Sequence, residues 1–433
     1  MKKNRLTTWI IGGMILGLIV GYLCHSQARD AAEAKVIAGY FSVVTDIFLR
    51  LIKMIIAPLV FATLVSGMAR SEPGSIGRIG LKAMTWFLSA SVISLLIGML
   101  FANYFEPGRS LALPLPDASA TTKLATGSLN FKDFLTHVFP RSFFEAMAGN
   151  EILQILVFSI FFGFALSSLQ GKGPRVLVHA IDETANTMLK ITDYVMRFAP
   201  VGVFAAVAAA ITVQGLDVLS TYGKFLGSFF LALAVLWLVL TGVGFLFLGR
   251  DVFRLIGLIK EPMIIAFSTA SSEASYPKTI EQLEKFGVSN KITGFVLPLG
   301  YSFNLDGSMV YQAFAVLFIA QAYGIHMSIS HQITILLVLM VSSKGMAGVS
   351  RASLVVVAAV LPMFNLPEAG LLLIMGVDQF LDMGRTATNV LGNSIATAVV
   401  AKWEGVDAED KLSSMESAVP AGQTAVLAKV ANA

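Results

Sequence analysis

Charged residues and cysteine are both scarce in this chain of 433 residues. Only 13% of the residues are charged, against about a quarter in soluble domains, and 56% are hydrophobic. Cys24 is the only cysteine, which excludes an intrachain disulfide and a cluster of thiolate metal ligands. The five histidines are scattered and form no i, i+4 pair. The net charge of +4 is too small to indicate a nucleic-acid partner.

Apolar runs long enough to cross a lipid bilayer recur along the first part of the chain. They lie at about 6–24, 40–68, 83–105, 152–169, 198–213 and 225–248. The mean hydropathy of +0.76 agrees with this pattern. The sequence therefore predicts an all-α polytopic membrane protein.

The first apolar run could be mistaken for a signal peptide, because Lys2, Lys3 and Arg5 precede it. It is longer than a usual signal core, and no clear small-x-small cleavage site follows it. We therefore expect an uncleaved first span with a cytoplasmic N-terminus. Basic residues after the second and sixth runs agree with this orientation: Arg70, Arg78, Lys82, Arg250, Arg254 and Lys260. The Ser/Thr/Pro-rich stretch 106–140 is then expected to be external.

A stripe of polar residues interrupts the late apolar segment 371–401. Its members are Asp378, Asp382, Arg385, Asn389 and Asn393. Their spacings place them within one narrow sector of a helix. Each ionised group at the bilayer centre costs roughly 2.5–3.5 kcal/mol on insertion scales. The stripe must face protein, a cavity or a ligand, and a charged ligand is the hypothesis that we follow.

Two further apolar runs after residue 250 are cut by small polar residues. The first is 264–276, and the second is 333–341, after which the apolar pattern resumes at Leu354. Two short apolar arms around a small-residue tip predict a re-entrant hairpin, with its tip at membrane depth but shielded by protein. A longer apolar helix with polar residues near its middle follows each predicted hairpin. This duplicated pattern is typical of inverted repeats that build a site at the midplane.

The first of these longer helices, 294–321, contains Asn304-Leu305-Asp306-Gly307-Ser308. Asn, Asp and Gly together disfavour a continuous helix and free its backbone carbonyls. Carbonyls beside a carboxylate form a hard oxygen site, so Asp306 with Asn304 is the best cation candidate. The alternative is a buried Asp306 carboxylate that accepts hydrogen bonds from nearby backbone donors.

Four ordered motifs resemble the dicarboxylate/amino acid:cation symporter family, which includes the glutamate transporters. They are Ser-Thr-Ala-Ser-Ser-Glu (268–273), Gly-Tyr-Ser-Phe-Asn-Leu-Asp-Gly-Ser (300–308), Ser-Lys-Gly-Met-Ala-Gly-Val (343–349) and Asp-Met-Gly-Arg-Thr-Ala-Thr-Asn-Val-Leu-Gly-Asn (382–393). The stretches 53–58 and 199–204 match the family as well. The chain looks most similar to the bacterial proton(/sodium)-glutamate/aspartate symporters. An archaeal member of this family is a known example of inverted repeats.

The resemblance implies eight transmembrane helices plus two re-entrant hairpins, in a homotrimer of the bacterial inner membrane with both termini cytoplasmic. A fixed scaffold would comprise 1–80 (helices 1 and 2) and 141–215 (helices 4 and 5). A mobile transport domain would comprise 81–105 (helix 3) and 216–402 (helices 6 to 8 and both hairpins). The segment 106–140 would be an external loop, and 403–433 a cytoplasmic tail. The second hairpin would act as the gate.

The resemblance also implies a substrate site on the polar stripe. Arg385 would bind the substrate's side-chain carboxylate with two parallel hydrogen bonds, Asp382 its amino group and Asn389 its α-carboxylate. The alternative is an internal ion pair of Arg385 with Asp382 or Asp378, and Asp378 could instead serve the start of its helix. Further contacts would come from Ser272, Ser308, Gly348 and Thr386. Helix packing is the alternative role for the small and hydroxyl residues.

Departures from the family pattern favour protons over sodium as the coupling ion. Asn393 stands where sodium-coupled relatives usually have Asp, and Phe87, Ala90 and Ser91 stand where they have Tyr, Thr and Ser. A sodium site would use Gly300, Asn304, Asp306, Asn389 and Asn393. Hard cations need several oxygens, so this site looks weakened. No cofactor is expected beyond co-transported H+ and/or Na+.

Glu273, on the first hairpin tip, matches bacterial proton-coupled relatives. A carboxyl group buried in apolar surroundings can accept a proton near neutral pH. Glu273 could equally pair with Lys344 on the opposing tip. Ser350 and Arg351 replace the Pro and Gly that relatives usually carry at the gate, where a cation could steer anions or pair with Glu273.

The leading functional hypothesis is secondary active import of glutamate or aspartate, and not an enzymatic reaction. A C4-dicarboxylate such as succinate or malate is the alternative substrate. Two intramembrane aspartates, Asp306 and Asp382, could instead make an aspartyl protease, which would expect no adjacent arginine. A channel is a third hypothesis, since selectivity rings also use carbonyls and charges.

Overall fold

The protein is represented by a computed structural model that describes residues 4–69, 75–109, 136, 138–169, 175–216, 222–343, 352–375 and 377–405. Helices form its regular structure, and the described residues contain no β-strand. The helices are α1 Asn4–Gln27, α2 Ala31–Ala69, α3 Ser75–Phe105, α4 Phe143–Gly149, α5 Ile152–Ser168, α6 Arg175–Met196, α7 Ala199–Gln214, α8 Gly223–Leu248, α9 Asp251–Thr269, α10 Ser272–Phe286, α11 Asn290–Phe303, α12 Asp306–Ala322, α13 Ile329–Ser342, α14 Ala352–Val360, α15 Leu371–Met375 and α16 Asp378–Glu404.

Within the described residues, five helical stretches are long and apolar enough to cross a membrane. They are Thr8–Gln27, Ala31–Ser66, Gly77–Phe105, Gly223–Leu248 and Asn290–Ala322. Helices α6 and α7 qualify together and meet at a bend of 54°. Pro200 lies in the first turn of α7, and its ring nitrogen cannot continue the hydrogen-bond ladder of α6. An all-α architecture suited to a polytopic membrane protein is thus confirmed.

The structure contains one long helix, α6, that was not expected from the sequence. The expected span 198–213 coincides with α7 alone, whereas α6 carries its apolar residues on one face and shows no continuous apolar run. The other expected runs fall within α1, α2, α3, α5 and α8, apart from Leu169, which follows α5 directly. Most of the expected external loop and of the C-terminal tail lies outside the described residues.

The first predicted hairpin consists of α9 and α10, which pack against each other on either side of a two-residue turn. Ala270 ends α9 in the left-handed region with φ of 49°. Ser271 then begins α10, because its Oγ accepts a hydrogen bond from the N–H of Ala274. The polar tip expected from the sequence is therefore a capped helix start.

The arms of the second predicted hairpin are α13 and α14, which contact each other and α12. Its expected tip lies outside the described residues, and with it the predicted roles of Lys344, Gly348, Ser350 and Arg351.

Two expected long helices are interrupted. The helix at 294–321 breaks at Asn304 and Leu305, where the Asn-Leu-Asp-Gly motif predicts a break. The segment 371–401 is likewise not one helix, because Val377 has non-helical angles (φ −120°, ψ 0°) between α15 and α16.

The helices pack in two groups, with α2 forming the main contact between them. Helices α1, α5, α6 and α7 each contact α2, and Gly13, Gly17 and Gly21 let α1 approach the backbone of α7 closely. Helix α16 is surrounded by α3 and α8 to α12. Helix α2 contacts α10 and α11 of this second group, and smaller contacts join α1 and α7 to α9, α5 to α11 and α6 to α10. The polar stripe on α16 is therefore enclosed by protein, which removes the cost of facing lipid.

Candidate functional site

Arg385 lies at the centre of the polar stripe and is only 2% exposed. Its Nε donates to Asp382 Oδ1 at 2.8 Å, and its Nη1 donates to Asp378 Oδ1 at 3.3 Å. The guanidinium also lies over the ring of Tyr311, at 4.4 Å from the ring centre. Charge-assisted hydrogen bonds and a cation–π contact thus hold the guanidinium in one orientation.

Asp378 belongs to this arginine cluster. It is the first residue of α16 and 1% exposed, and the hydroxyl of Tyr311 donates to its Oδ1 at 2.9 Å. A role at the start of α16 therefore does not fully account for Asp378, because its carboxylate also positions Arg385. The sequence analysis did not identify Tyr311 as a site residue. The feature that could have indicated it is its position, as an aromatic residue shortly after the helix-breaking motif 304–308.

Asp382 is the more accessible of the two carboxylates, with its side chain 20% exposed. Its Oδ1 accepts from Arg385 and from the hydroxyl of Thr386, the latter at 3.0 Å. The internal ion pair that the sequence left open is thus present. The three charged groups Asp378, Asp382 and Arg385 formally carry one excess negative charge, which favours a ligand with a cationic group as well as an anionic one.

Asn389 joins the stripe to the start of α12. Its Oδ1 accepts from the N–H groups of Gly307, at 2.8 Å, and Ser308, at 3.4 Å, while its Nδ2 donates to Ser308 Oγ at 3.3 Å. The side chain therefore acts as an N-cap supplied by another helix. Gly307 is required there, because a Cβ would collide with the backbone of Arg385.

The break between α11 and α12 holds a second polar cluster. Asn304 Nδ2 donates to Asp306 Oδ2 and to Asn393 Oδ1, both at 3.1 Å, and all three residues are at most 1% exposed. Asn304 Oδ1 makes no hydrogen bond within the described part of the chain. Gly300 and Gly392 leave room for these groups, since a Cβ at either would collide with Asn393 or Asp306.

The oxygen atoms of this cluster suit a hard cation. No group of three or more His, Cys, Asp or Glu side chains could hold a metal among the described residues. A cation here would therefore depend on amide and backbone oxygens in addition to the Asp306 carboxylate. Phe87 lies near Gly300, and neither Phe87 nor the buried Ala90 offers a side-chain oxygen.

The first hairpin tip lies next to α11 and α2. The hydroxyl of Tyr301 donates to the carbonyl of Ser272 at 3.0 Å. Glu273 Oε2 is 3.5 Å from Lys53 Nζ, and the Glu273 side chain is 25% exposed. This position differs from the apolar burial expected from the sequence, because α2 brings a lysine to the tip.

Comparison with known proteins identifies the family of the chain. The family model described as the sodium:dicarboxylate symporter family matches residues 6–403. The proton/sodium-glutamate symport protein of Bacillus caldotenax is 40% identical over 418 residues, which cover 95% of this chain and 97% of that protein. The proton/glutamate-aspartate symporter of Escherichia coli is 40% identical over 412 residues, 93% of each chain.

A C4-dicarboxylate transport protein of Pseudomonas savastanoi is 38% identical over 420 residues, which cover 96% of this chain and 89% of that protein. The resemblance drawn from the four sequence motifs is thereby confirmed. With the match extending over nearly all of the described helices, the chain belongs to the sodium:dicarboxylate symporter family.

Proposed function

We propose that this protein is a secondary active symporter that imports glutamate or aspartate together with protons. The observation that carries the proposal is the juxtaposition of Arg385 and Asp382 at 2.8 Å on one face of α16. An acidic amino acid offers a carboxylate to Arg385 and an ammonium group to Asp382, so it satisfies both charges when their mutual contact is released. The printed names of the Bacillus caldotenax and Escherichia coli relatives support this substrate class.

The two helix groups support transport by an elevator-type movement. We assign α1, α2 and α5 to α7 to a fixed scaffold, and the helices around α16 to a transport domain that carries the substrate. The substrate contacts proposed for Ser308, Thr386 and Asn389 all lie in this second group, beside α12 and α16. We further propose that the α9–α10 and α13–α14 pairs are re-entrant hairpins and that both termini are cytoplasmic.

Protons are the proposed coupling ion, with sodium as the alternative. Asn304, Asp306 and Asn393 form a cluster with one carboxylate, which is a modest ligand set for sodium. Glu273 is the proposed proton carrier, because it is the carboxylate at the tip of the first hairpin, directly after Ser272. The names of the relatives include both ions.

Proteoliposomes with imposed gradients test substrate and coupling together. Labelled glutamate, aspartate and succinate are supplied outside, with an inward proton gradient in sodium-free buffer or an inward sodium gradient at equal pH. We expect glutamate or aspartate to accumulate with the proton gradient. Accumulation with sodium alone would overturn the proton assignment, and the absence of accumulation of any substrate would overturn the transport proposal.

The variant Asp382→Ser separates the amino-acid substrate from a dicarboxylate. Loss of a carboxylate that pairs with the ammonium group should weaken glutamate uptake more than tenfold, since breaking a partly buried charge pair costs about 2–5 kcal/mol. Succinate lacks the ammonium group and should be affected less. Asp46→Ser, at an exposed position of α2, is the matched control. Intact glutamate uptake by Asp382→Ser would contradict the assigned role.

A C4-dicarboxylate is the second candidate substrate. The Pseudomonas savastanoi relative supports it by name. In that case both carboxylates of the substrate need donors, and Arg385 is the buried cation of the stripe. Uptake of succinate in preference to glutamate would favour this candidate.

The proteolytic alternative fits the geometry poorly. Two catalytic aspartates need to share a proton side by side. Asp382 instead accepts from Arg385 and Thr386, while Asp306 accepts from Asn304.

A further inference from the structure

Lys53 is a charged residue in a long apolar helix. No charged residue follows it in α2, from Met54 to Ala69. A lysine in such a segment needs a partner or a polar surrounding, because hydrocarbon provides neither. Its Nζ lies 3.5 Å from Glu273 Oε2, with half of the lysine side chain and a quarter of the glutamate side chain exposed. The pair therefore forms at the surface of contact between α2 and the first hairpin.

The two partners belong to different helix groups. Lys53 is on α2, which packs mainly against α5, α6 and α7. Glu273 is in the first turn of α10, whose tip is fixed to α11 by the hydrogen bond from the Tyr301 hydroxyl to the Ser272 carbonyl. The rings of Tyr276 and Tyr301 also meet edge to face, with their centres 5.0 Å apart. Glu273 is thus attached to the group that contains Arg385, and Lys53 is not.

We propose that Lys53 is a positioning residue for transport: its ion pair with Glu273 holds the substrate-carrying helices against α2 in the arrangement seen here. The inference rests on the proposed function, in which the group around α16 moves past the scaffold. Movement of α10 along α2 has to separate the two side chains. The pair therefore stabilises one end state of the movement and adds to the barrier for leaving it.

The size of the effect follows from the exposure of the pair. Partly exposed ion pairs contribute little, so we expect their removal to change a rate by roughly two- to fivefold. A larger change would point to a disrupted fold. The pair acts on movement rather than on the substrate contacts, because neither residue contacts Asp382, Arg385 or Asn389 through a hydrogen bond or ion pair found among the described residues.

A double-mutant cycle tests the proposal through exchange kinetics. Labelled glutamate outside is exchanged for unlabelled glutamate inside proteoliposomes, at equal pH and ion concentrations on both sides, so that no net proton flux is needed. Lys53→Met and Glu273→Gln should each raise the exchange rate roughly two- to fivefold, and the double variant should match the single ones. The exchanged pair Lys53→Glu/Glu273→Lys should return the rate toward that of the wild type.

Additive effects of the two single variants, slower exchange, or no rescue by the exchanged pair would overturn the proposal. Arg50→Met is the matched control, because it removes an exposed cation one turn earlier on α2 and should leave the rate unchanged. If Glu273→Gln fails to fold, the comparison of Lys53→Arg with Lys53→Met still tests the proposal. Lys53→Arg retains the ion pair and should exchange glutamate at the wild-type rate, whereas Lys53→Met removes the pair and should exchange faster.

Glutamate binding to each purified variant checks that the substrate site is intact. For Lys53→Met and Lys53→Arg we expect the affinity to stay within about twofold of wild type, because Lys53 contacts Glu273 and not the substrate residues. The outcome also separates the two proposals. If liposomes with the wild-type protein exchange glutamate but the two single substitutions have additive effects, the role proposed for Lys53 is wrong and the proposed transport function stands. If wild-type liposomes transport no substrate, the proposed function itself is wrong.

Discussion

At the scale of single residues, Arg385 is the side chain whose environment explains most about the site. Two carboxylates and one aromatic ring surround its guanidinium, and each comes from a known position in α16 or α12. A buried arginine with this many partners is costly to form unless its hydrogen bonds are satisfied. Asp382 is the partner that a ligand can replace most easily, because it is the more exposed carboxylate.

Replacement of Tyr311 separates its two roles beside Arg385. Tyr311→Phe removes only the hydrogen bond to Asp378, and bonds to charged groups contribute about 1.5–3 kcal/mol. We expect glutamate affinity to fall by roughly an order of magnitude, and to fall further in Tyr311→Leu, which also loses the ring under the guanidinium. Isothermal titration calorimetry measures the glutamate affinity of both variants.

The exposed Tyr104 supplies a matched control as Tyr104→Phe, which should bind glutamate like the wild type. Equal affinities for Tyr311→Phe and wild-type protein would show that the hydroxyl does not position Arg385 through Asp378.

At the scale of elements, the site depends on helices that start and stop inside the molecule. The break at Asn304 and Leu305 places the first N–H groups of α12 against Asn389. Helix α10 likewise starts at the hairpin tip behind the Ser271 cap. Helix starts present N–H groups without intrahelical partners, so they suit anionic groups of a substrate.

The close approach of α12 and α16 predicts a strong effect of Gly307→Ala. The added methyl group would collide with the backbone of Arg385, and overpacking of this kind costs about 1–3 kcal/mol. We expect a lower unfolding temperature and weak glutamate binding, measured by thermal denaturation and titration.

Gly242→Ala, in the interior of α8 with open space around a Cβ, is the matched control and should retain both properties. A Gly307→Ala variant that binds and unfolds like the wild type would mean that α12 and α16 are not in close contact.

The polar C-terminal turn of α10, outside the apolar spans, predicts a pH effect on stability. Burial raises the pKa of Glu284 to about 7, above its ordinary value of 4.5. The folded state then binds the proton more tightly than the unfolded state, so the free energy of unfolding should fall as the pH rises through this window. Glu284→Gln should remove the decline, and its unfolding temperature should exceed that of wild type at pH 8.

The difference between Glu284→Gln and wild type should shrink toward pH 5, where the carboxyl of the folded protein is protonated. Thermal unfolding in detergent at several pH values measures this difference. A difference independent of pH would mean that Glu284 is not buried as described.

At the scale of the whole molecule, the helices of the proposed scaffold expose large apolar side chains. Tyr40 on α2, Phe161 on α5 and Val176 on α6 are 75%, 65% and 81% exposed. Such surfaces face lipid or another subunit. Because the family resemblance implies a homotrimer, we expect part of this surface to be an interface between copies.

Native mass spectrometry of the purified protein tests the assembly. We expect a species of three times the chain mass of 46.3 kDa. Chemical cross-linking in membranes, before any detergent is added, should give products no larger than three linked chains. A monomer in both measurements would contradict the trimer.

The sequence alone determined the class of protein and the polar stripe on α16. Low charge and long apolar runs specify a helical membrane protein, because a bilayer selects segments by length and hydropathy. The spacing of the α16 stripe and the helix-breaking residues at 304–308 were also readable, since both are local properties of the chain. The sequence analysis did not predict helix α6, because the polar residues on one face of this helix interrupt its apolar pattern.

Only the tertiary structure decided which partners those residues have. Tyr311 meets Arg385, Asn389 caps α12, and Lys53 rather than an apolar surrounding meets Glu273. Each pair joins segments far apart in sequence, and their contact depends on how each helix is rotated and packed against its neighbours. Local periodicity indicates that a polar face needs partners, but packing selects them.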